Sequence, residues 1–149
     1  MTRIADLLSS NRVAVGVTVS SKKRALEEMA RILALGAPTV TQADILSSLV
    51  GREKLGSTAL GHGVAIPHGR IAGINGSIGA LIRLKHPLEY EAHDGRSVDL
   101  LYGLIVPQQA TNDHLQHLKA IAEAFSDEGF CEQLREARDE VAALALMTR

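Results

Sequence analysis

Residues Gly56 to Arg70 read Gly-Ser-Thr-Ala-Leu-Gly-His-Gly-Val-Ala-Ile-Pro-His-Gly-Arg, a run that matches neither an ordinary helix nor an amphipathic strand. Gly56, Gly61, Gly63 and Gly69 are able to take positive φ, which lets backbone N–H groups approach an anion closely. Pro67 fixes its own φ, offers no N–H and biases Ile66 toward an extended conformation, so His68 is presented on a stiff base. A neutral imidazole has one free lone pair, and held this way it suits either phosphoryl carriage or metal ligation. Ser57, Thr58 and Arg70 are hard donors and a cation that match phosphate oxygens. A metal site calls instead for more imidazole, thiolate or carboxylate at close spacing. The plainer alternative is a glycine-rich turn around a structural histidine.

Two further residues are placed to join His68. Arg52 stands at the end of a predicted helix that runs directly into the glycine-rich stretch, where its planar guanidinium would reach a phosphate. His114 falls in the first turn of a helix capped by Thr111 or Asn112, beside free N–H groups that attract anions. His117, one turn on, is either a neighbour of the site or exposed. Three readings compete: His68 as a phosphoryl-accepting nucleophile assisted by Arg52 and His114; a zinc-type site drawn from His62, His68, His114 and His117; and a noncatalytic interaction module. There is no Gly-x-x-x-x-Gly-Lys-Ser/Thr loop, no Gly-x-Ser-x-Gly elbow and no kinase signature, which argues against a nucleotide-dependent mechanism.

The elements that must position these residues follow from the apolar spacing. Ile4, Leu7 and Leu8 share one face of a short helical turn, and Val13 to Val17 reads as a first strand. Ser20 or Ser21 caps a helix whose apolar face is Ala25, Leu26, Met29, Ala30 and Leu33, ended by Gly36 and Pro38. Its first turn, Lys22-Lys23-Arg24, puts three cations at the positive end of the dipole and is expected to be solvated. Thr41 to Asp44 has capping-box spacing and opens a helix with Ile45, Leu46, Leu49 and Val50 on one side. Gly76 to Leu84 reads as a strand, Lys85 to Gly95 as a polar connection containing Pro87, and Ser97 to Val106 as a central strand stopped by Pro107. Leu115, Leu118, Ala122 and Phe125 form the expected apolar stripe of the next helix. Two short helices around Phe130 to Ala137 and Val141 to Met147, with Ser126 and Asp139 as caps, cover a sheet face.

Length and composition agree with one α/β domain over residues 1–149: a mixed β-sheet with helices, 46% hydrophobic residues, no repeat and no linker. Sixteen Lys and Arg against seventeen Asp and Glu give a net charge of -1, and the aromatics are two Tyr and two Phe, so neither charge nor stacking supports nucleic-acid binding. The single cysteine, Cys131, is expected to be a core thiol and excludes an intramolecular disulfide. No long uncharged apolar run appears, and Met1-Thr-Arg-Ile-Ala-Asp lacks the pattern of a signal peptide, so a cytoplasmic location without membrane insertion is expected.

The segment Gly51-Arg-Glu-Lys-Leu-Gly-Ser-Thr-Ala-Leu-Gly-His-Gly-Val-Ala-Ile-Pro-His-Gly-Arg70 resembles the active-site signature of the fructose/mannitol/nitrogen-type IIA proteins of the bacterial phosphoenolpyruvate-dependent phosphotransferase system. Ser20 to Glu27 is similar to the opening of the nitrogen-regulatory branch, Val98 to Leu101 with Val106-Pro107 to its central strand, and His114-Leu115 to its second histidine. The resemblance implies a mixed sheet flanked by helices on both sides and a phosphocarrier role. It implies His68 as the phosphorylated residue through Nε2, Arg52 and His114 as assistants, and Ser57, Thr58 and Gly69 along the phosphate. His62 departs from the small polar residue often found at its position. An HPr-like phosphohistidine protein is the implied donor, docking on apolar surface for which Leu55, Leu60 and Ile71 are candidates. The acceptor is either a set of regulatory targets, the expected branch, or a sugar-specific IIB protein. No cofactor and no metal are implied, since protein donors take the electrostatic role.

Overall fold

The computed structural model describes residues 4–148; Met1 to Arg3, the first part of the segment read for a leader, and Arg149 lie outside the described residues. Two 3-10 turns, Ile4–Leu7 and Ser10–Arg12, lead into β1 (Val13–Val17). Helices α1 (Lys22–Ala34) and α2 (Gln42–Glu53) follow, then three short strands, β2 (Ala59–Gly61), β3 (Val64–Ala65) and β4 (His68–Ile71). Two long strands, β5 (Ile78–Leu88) and β6 (Val98–Pro107), precede α3 (Asn112–Phe125), α4 (Glu128–Glu136) and α5 (Glu140–Thr148).

The six strands form one mixed sheet in the order β1-β5-β6-β3-β2, with β4 also paired to β6. β1 lies parallel to β5, β5 antiparallel to β6, and β3 and β4 both parallel to β6. The period of two along β6 sorts the core into two layers. Leu100, Tyr102, Leu104 and Val106 pack with Ile121 and Phe125 of α3, Leu134 of α4 and Met147 of α5. Leu101 and Ile105 point the other way, into a cluster with Met29 and Leu33 of α1 and Ile45 and Leu49 of α2. Helices therefore cover both faces, as the sequence led us to expect, and Cys131 is a buried thiol.

Helix starts follow local chemistry. Ser21 Oγ accepts from Arg24 N–H, and Thr41 Oγ1 accepts from Asp44 N–H, each at 3.1 Å; caps of this kind are worth about 1 kcal/mol. α4 is capped by Asp127, not Ser126: Asp127 Oδ1 accepts from Phe130 N–H, while Ser126 ends α3 and donates its hydroxyl to Ala122 O. Asp139 does cap α5, accepting from Ala142 N–H at 2.9 Å.

Several expectations are corrected. The glycine-rich stretch is not free of regular structure, since β2, β3 and β4 are cut from it. The connection predicted from Lys85 is strand as far as Leu88, because an irregularity between Arg83 and Leu88 turns Lys85, His86 and Pro87 to solvent, where proline's missing N–H is tolerated. β6 does end at Pro107, which is its last residue and pairs with Ile71, and the next donor, Gln108 N–H, reaches Ile71 O at 2.9 Å. Lys22 is not solvated: its Nζ lies 3.0 Å from Glu53, 3.5 Å from Glu91 and 4.6 Å from the Tyr90 ring centre.

Candidate functional site

The residue pair Ile66-Pro67 interrupts what would otherwise be one strand. On either side of it β3 and β4 lie along the same edge of β6, with Ala65 opposite Leu101 and His68 opposite Leu104. The break leaves few backbone groups unpaired, because Leu104 N–H donates to Pro67 O and Ile66 N–H donates to Thr58 O, both at 3.0 Å. Ile66 O points back at the histidine two residues on, where His68 Nδ1 lies 2.7 Å away. A carbonyl oxygen only accepts, so Nδ1 carries the hydrogen and Nε2 of the neutral ring carries the free lone pair. His68 is thus the first residue of a strand rather than part of a loop, and its tautomer is set by its own chain.

Of the glycines, Gly56, Gly61 and Gly63 have positive φ. Gly69 does not, and its requirement is packing: a Cβ there would run into the Ser48 hydroxyl and come within 3.1 Å of the Ser48 carbonyl oxygen. The absence of a side chain lets α2 lie against β4, which carries Arg52 to the site.

His68 is half-buried in the wall of a cavity of about 380 Å³ between α2, β4 and α3. Arg52, His68, Arg70 and His114 form its polar side, and Leu55, Leu104, Val106, Leu115 and Leu118 its apolar side. Arg52 donates through Nη1 to Gly56 O at 2.9 Å, which fixes the guanidinium and leaves its other N–H groups for a ligand. His114 stands at the third position of α3, where Thr111 N–H donates to His114 Nδ1 at 3.1 Å. That ring nitrogen is an acceptor, so the neutral His114 ring carries its hydrogen on Nε2. The two imidazoles are held in opposite tautomers: one has a lone pair at Nε2, the other an N–H.

Burial pushes the His68 pKa below its ordinary value, and the positive charge of Arg52 pushes the same way. The hydrogen bond to Ile66 and the charge of Glu53 oppose this without reversing it. The ring is accordingly neutral near pH 7. His117 is likewise held below its ordinary pKa, by burial first and by its neighbour His114.

His68, Arg52, His114 and Gly69 are brought together; Ser57 and Thr58 are not at the cavity. Ser57 donates its hydroxyl to Tyr90 O at 3.0 Å. Thr58 is buried, with its N–H on Glu53 Oε1 at 3.1 Å and its hydroxyl on Glu53 Oε2. Both are tied to neighbouring chain segments by these bonds and do not line the cavity. Ile71 is buried in the core and cannot serve as docking surface, and Leu60 is half-buried against the opposite layer, whereas Leu55 is 84% exposed. The exposed apolar partner of Leu55 is Leu115. Of the stripe expected on α3, Phe125 is buried and Leu118 and Ala122 pack partly against the same core, which also takes His117 and Ile121, whereas Leu115 is exposed and lines the cavity with Leu118. His117 is buried rather than exposed, its Nδ1 lying 2.7 Å from Ser77 Oγ.

His62 sits elsewhere, on an exposed turn with φ 58°. Its N–H donates to Asp94, its carbonyl accepts from Arg135, and its Nδ1 lies 2.9 Å from Glu128. Among the described residues no group of three or more His, Cys, Asp or Glu is placed to hold a metal ion, and no helix is long and apolar enough to cross a membrane. Sequence reasoning missed Glu53, whose only signal was its place beside Arg52, and Lys22 and Tyr90, which reach it from distant parts of the chain.

Residues 6–149 match the family model described as phosphoenolpyruvate-dependent sugar phosphotransferase system, EIIA 2. A nitrogen regulatory protein of Pseudomonas aeruginosa is 42% identical over 137 residues, covering 92% of this chain and 89% of that protein. Another, from Bradyrhizobium diazoefficiens, is 38% identical over 146 residues, covering 97% and 94%. The crystal structure of nitrogen regulatory protein IIA-Ntr from Neisseria meningitidis superposes with a TM-score of 0.91 at 39% identity, covering 97% of this chain and 99% of that one. With an interrupted strand presenting a half-buried imidazole, and with relatives of this kind over nearly its full length, the chain belongs to the EIIA type 2 family of the phosphoenolpyruvate-dependent phosphotransferase system.

Proposed function

We propose that this protein is a phosphocarrier that accepts a phosphoryl group on His68 Nε2 from an HPr-like phosphohistidine protein and acts as a nitrogen-type regulatory IIA. The observation that carries the reading is the hydrogen bond from His68 Nδ1 to Ile66 O inside a cavity shared with Arg52 and His114. The lone pair of Nε2 attacks phosphorus in line; the new N–P bond forms as the donor's N–P bond breaks, and that electron pair returns to the donor's imidazole. The hydrogen stays on Nδ1, donated to Ile66 O throughout, so the phosphorylated ring keeps the same anchor.

Charge on the equatorial oxygens of a loose transition state is met by fixed donors. Arg52 supplies a guanidinium, His114 its Nε2–H, and the first turn of α3 its free backbone N–H groups. Because one phosphohistidine is exchanged for another, transfer runs in both directions without a metal ion or nucleotide. Leu55, Leu115 and Leu118 give the donor an apolar rim.

The regulatory assignment rests on the identity to nitrogen regulatory proteins given above, and the alternative is passage of the phosphoryl group to a IIB protein. Incubation with phosphoenolpyruvate and the general phosphotransferase components, followed by intact-mass measurement, tests the acceptor: an acid-labile phosphate is expected on the parent and absent from His68→Ala. An equal phosphate load on that variant overturns the assignment. Affinity capture by each phosphorylation state, compared with transfer to purified IIB domains, separates the two outlets.

A further inference from the structure

The chain that holds His68 in its tautomer does not end at Ile66. Ile66 N–H donates to Thr58 O at 3.0 Å, and Thr58 is in turn fixed through its N–H and its hydroxyl by the carboxylate of Glu53. That carboxylate is only 6% exposed, and Lys22 Nζ reaches it at 3.0 Å from the first residue of α1. Lys22 is itself seated over the Tyr90 ring, and the Tyr90 hydroxyl lies 3.4 Å from Thr58 Oγ1. A continuous series of polar contacts thus runs from the start of α1 to the nucleophilic ring, through one buried carboxylate that touches neither the cavity nor the phosphoryl position.

We infer that the Lys22–Glu53 pair is a positioning device for His68: the carboxylate fixes the Thr58 peptide, Thr58 fixes Ile66, and the Ile66 carbonyl fixes the hydrogen on Nδ1. This deepens the phosphocarrier reading and rests on it for its catalytic consequence, but its structural content concerns the unphosphorylated ring alone. A surface ion pair would be nearly neutral for stability. This one is shielded from water, and loss of one partner leaves the other group short of hydrogen bonds. The charge of Glu53 also reaches His68, where it acts against burial and Arg52.

Three variants test the device. Glu53→Gln removes the charge and one of the acceptors for Thr58, Lys22→Met removes only the counter-ion, and Lys22→Arg restores it. Nitrogen-15 NMR of the His68 ring in the unphosphorylated protein reads the tautomer and the titration midpoint directly. In Glu53→Gln the Nδ1–H form is expected to lose its dominance, the midpoint to move further down, and phosphoryl acceptance to fall at least tenfold. Lys22→Met should cause a smaller loss of acceptance that Lys22→Arg recovers.

A folded Glu53→Gln with the parent's tautomer and an acceptance rate within twofold of the parent overturns the inference. If Glu53→Gln fails to fold, Thr58→Val, which loses only the hydroxyl contact, decides by the same two readouts: a shifted tautomer ratio with slower acceptance supports the device, and parental values overturn it. Should the parent itself take no phosphate, the phosphocarrier reading fails while the ring NMR still decides on Glu53.

Discussion

Two histidines six residues apart, His62 and His68, come from the same glycine-rich stretch and differ in almost every respect that matters for chemistry. His62 is exposed, with positive φ, and its Nδ1 faces the carboxylate of Glu128. Both side chains of that pair stand in solvent, where an ion pair contributes little. His68 is half-buried, its Nδ1 faces a carbonyl on a strand, and burial keeps it neutral. The contrast teaches that whether an imidazole keeps a free lone pair at Nε2 depends on what grips its other nitrogen.

The largest expected effect is that His68→Ala abolishes phosphoryl acceptance while His62→Ala leaves it within about twofold, the general acid-labile phosphate assay deciding both. A His62 variant that also failed to accept would erase the distinction. Next, Arg52→Ala should slow acceptance by about 10²–10³, the usual cost of losing one donor aimed at developing charge, with single-turnover transfer as the measurement. Arg52→Lys should recover little, because an ammonium cannot reproduce the fork that holds Gly56 O and a phosphate oxygen together. His114→Ala should cost roughly 10- to 100-fold, the range for a hydrogen bond to a charged group, and still yield phosphorylated protein.

Smaller effects sharpen the comparison. Gly69→Ala forces a Cβ against Ser48 and should destabilise the fold by about 1–3 kcal/mol in denaturant titration, with a concomitant loss of acceptance as α2 is pushed from β4. The pH dependence has a fixed sign. The folded His68 pKa lies below the ordinary 6.5, so on acidification the unfolded chain takes up the proton first. Its contribution to stability is therefore complete above about pH 6.5 and is lost as pH falls from there toward the folded value. The acceptance rate should fall with a midpoint below 6.5, and a midpoint at or above it would mean that the ring is not desolvated as described.

What the sequence made legible was local. Ile-Pro-His-Gly announces a presented histidine because proline fixes φ and glycine leaves room for close backbone approach wherever they occur, and the caps of α1, α2 and α5 follow from serine, threonine and aspartate chemistry. Periodicity found both long strands for the same reason. What it concealed was set by packing between distant segments. The hydroxyls of Ser57 and Thr58 match a phosphate in composition, but Tyr90 and Glu53 claim them. Lys22 reads as a solvated cation until the start of α1 meets the end of α2. Leu115 and Leu118 fit a helical stripe as well as His117 and Ile121 do, and only the tertiary arrangement tells core from rim.

One detail of β4 constrains how any partner recognises this surface. The outer carbonyl of Arg70, on the side away from β6, accepts from Ser48 Oγ at 2.7 Å, so α2 occupies the backbone of the strand that bears His68. An incoming chain cannot extend the sheet there, which guards the protein against polymerising through its own reactive edge. Recognition must then be written in side chains, and a partner can be exchanged for another by changing a few leucines and arginines without disturbing the ladder beneath.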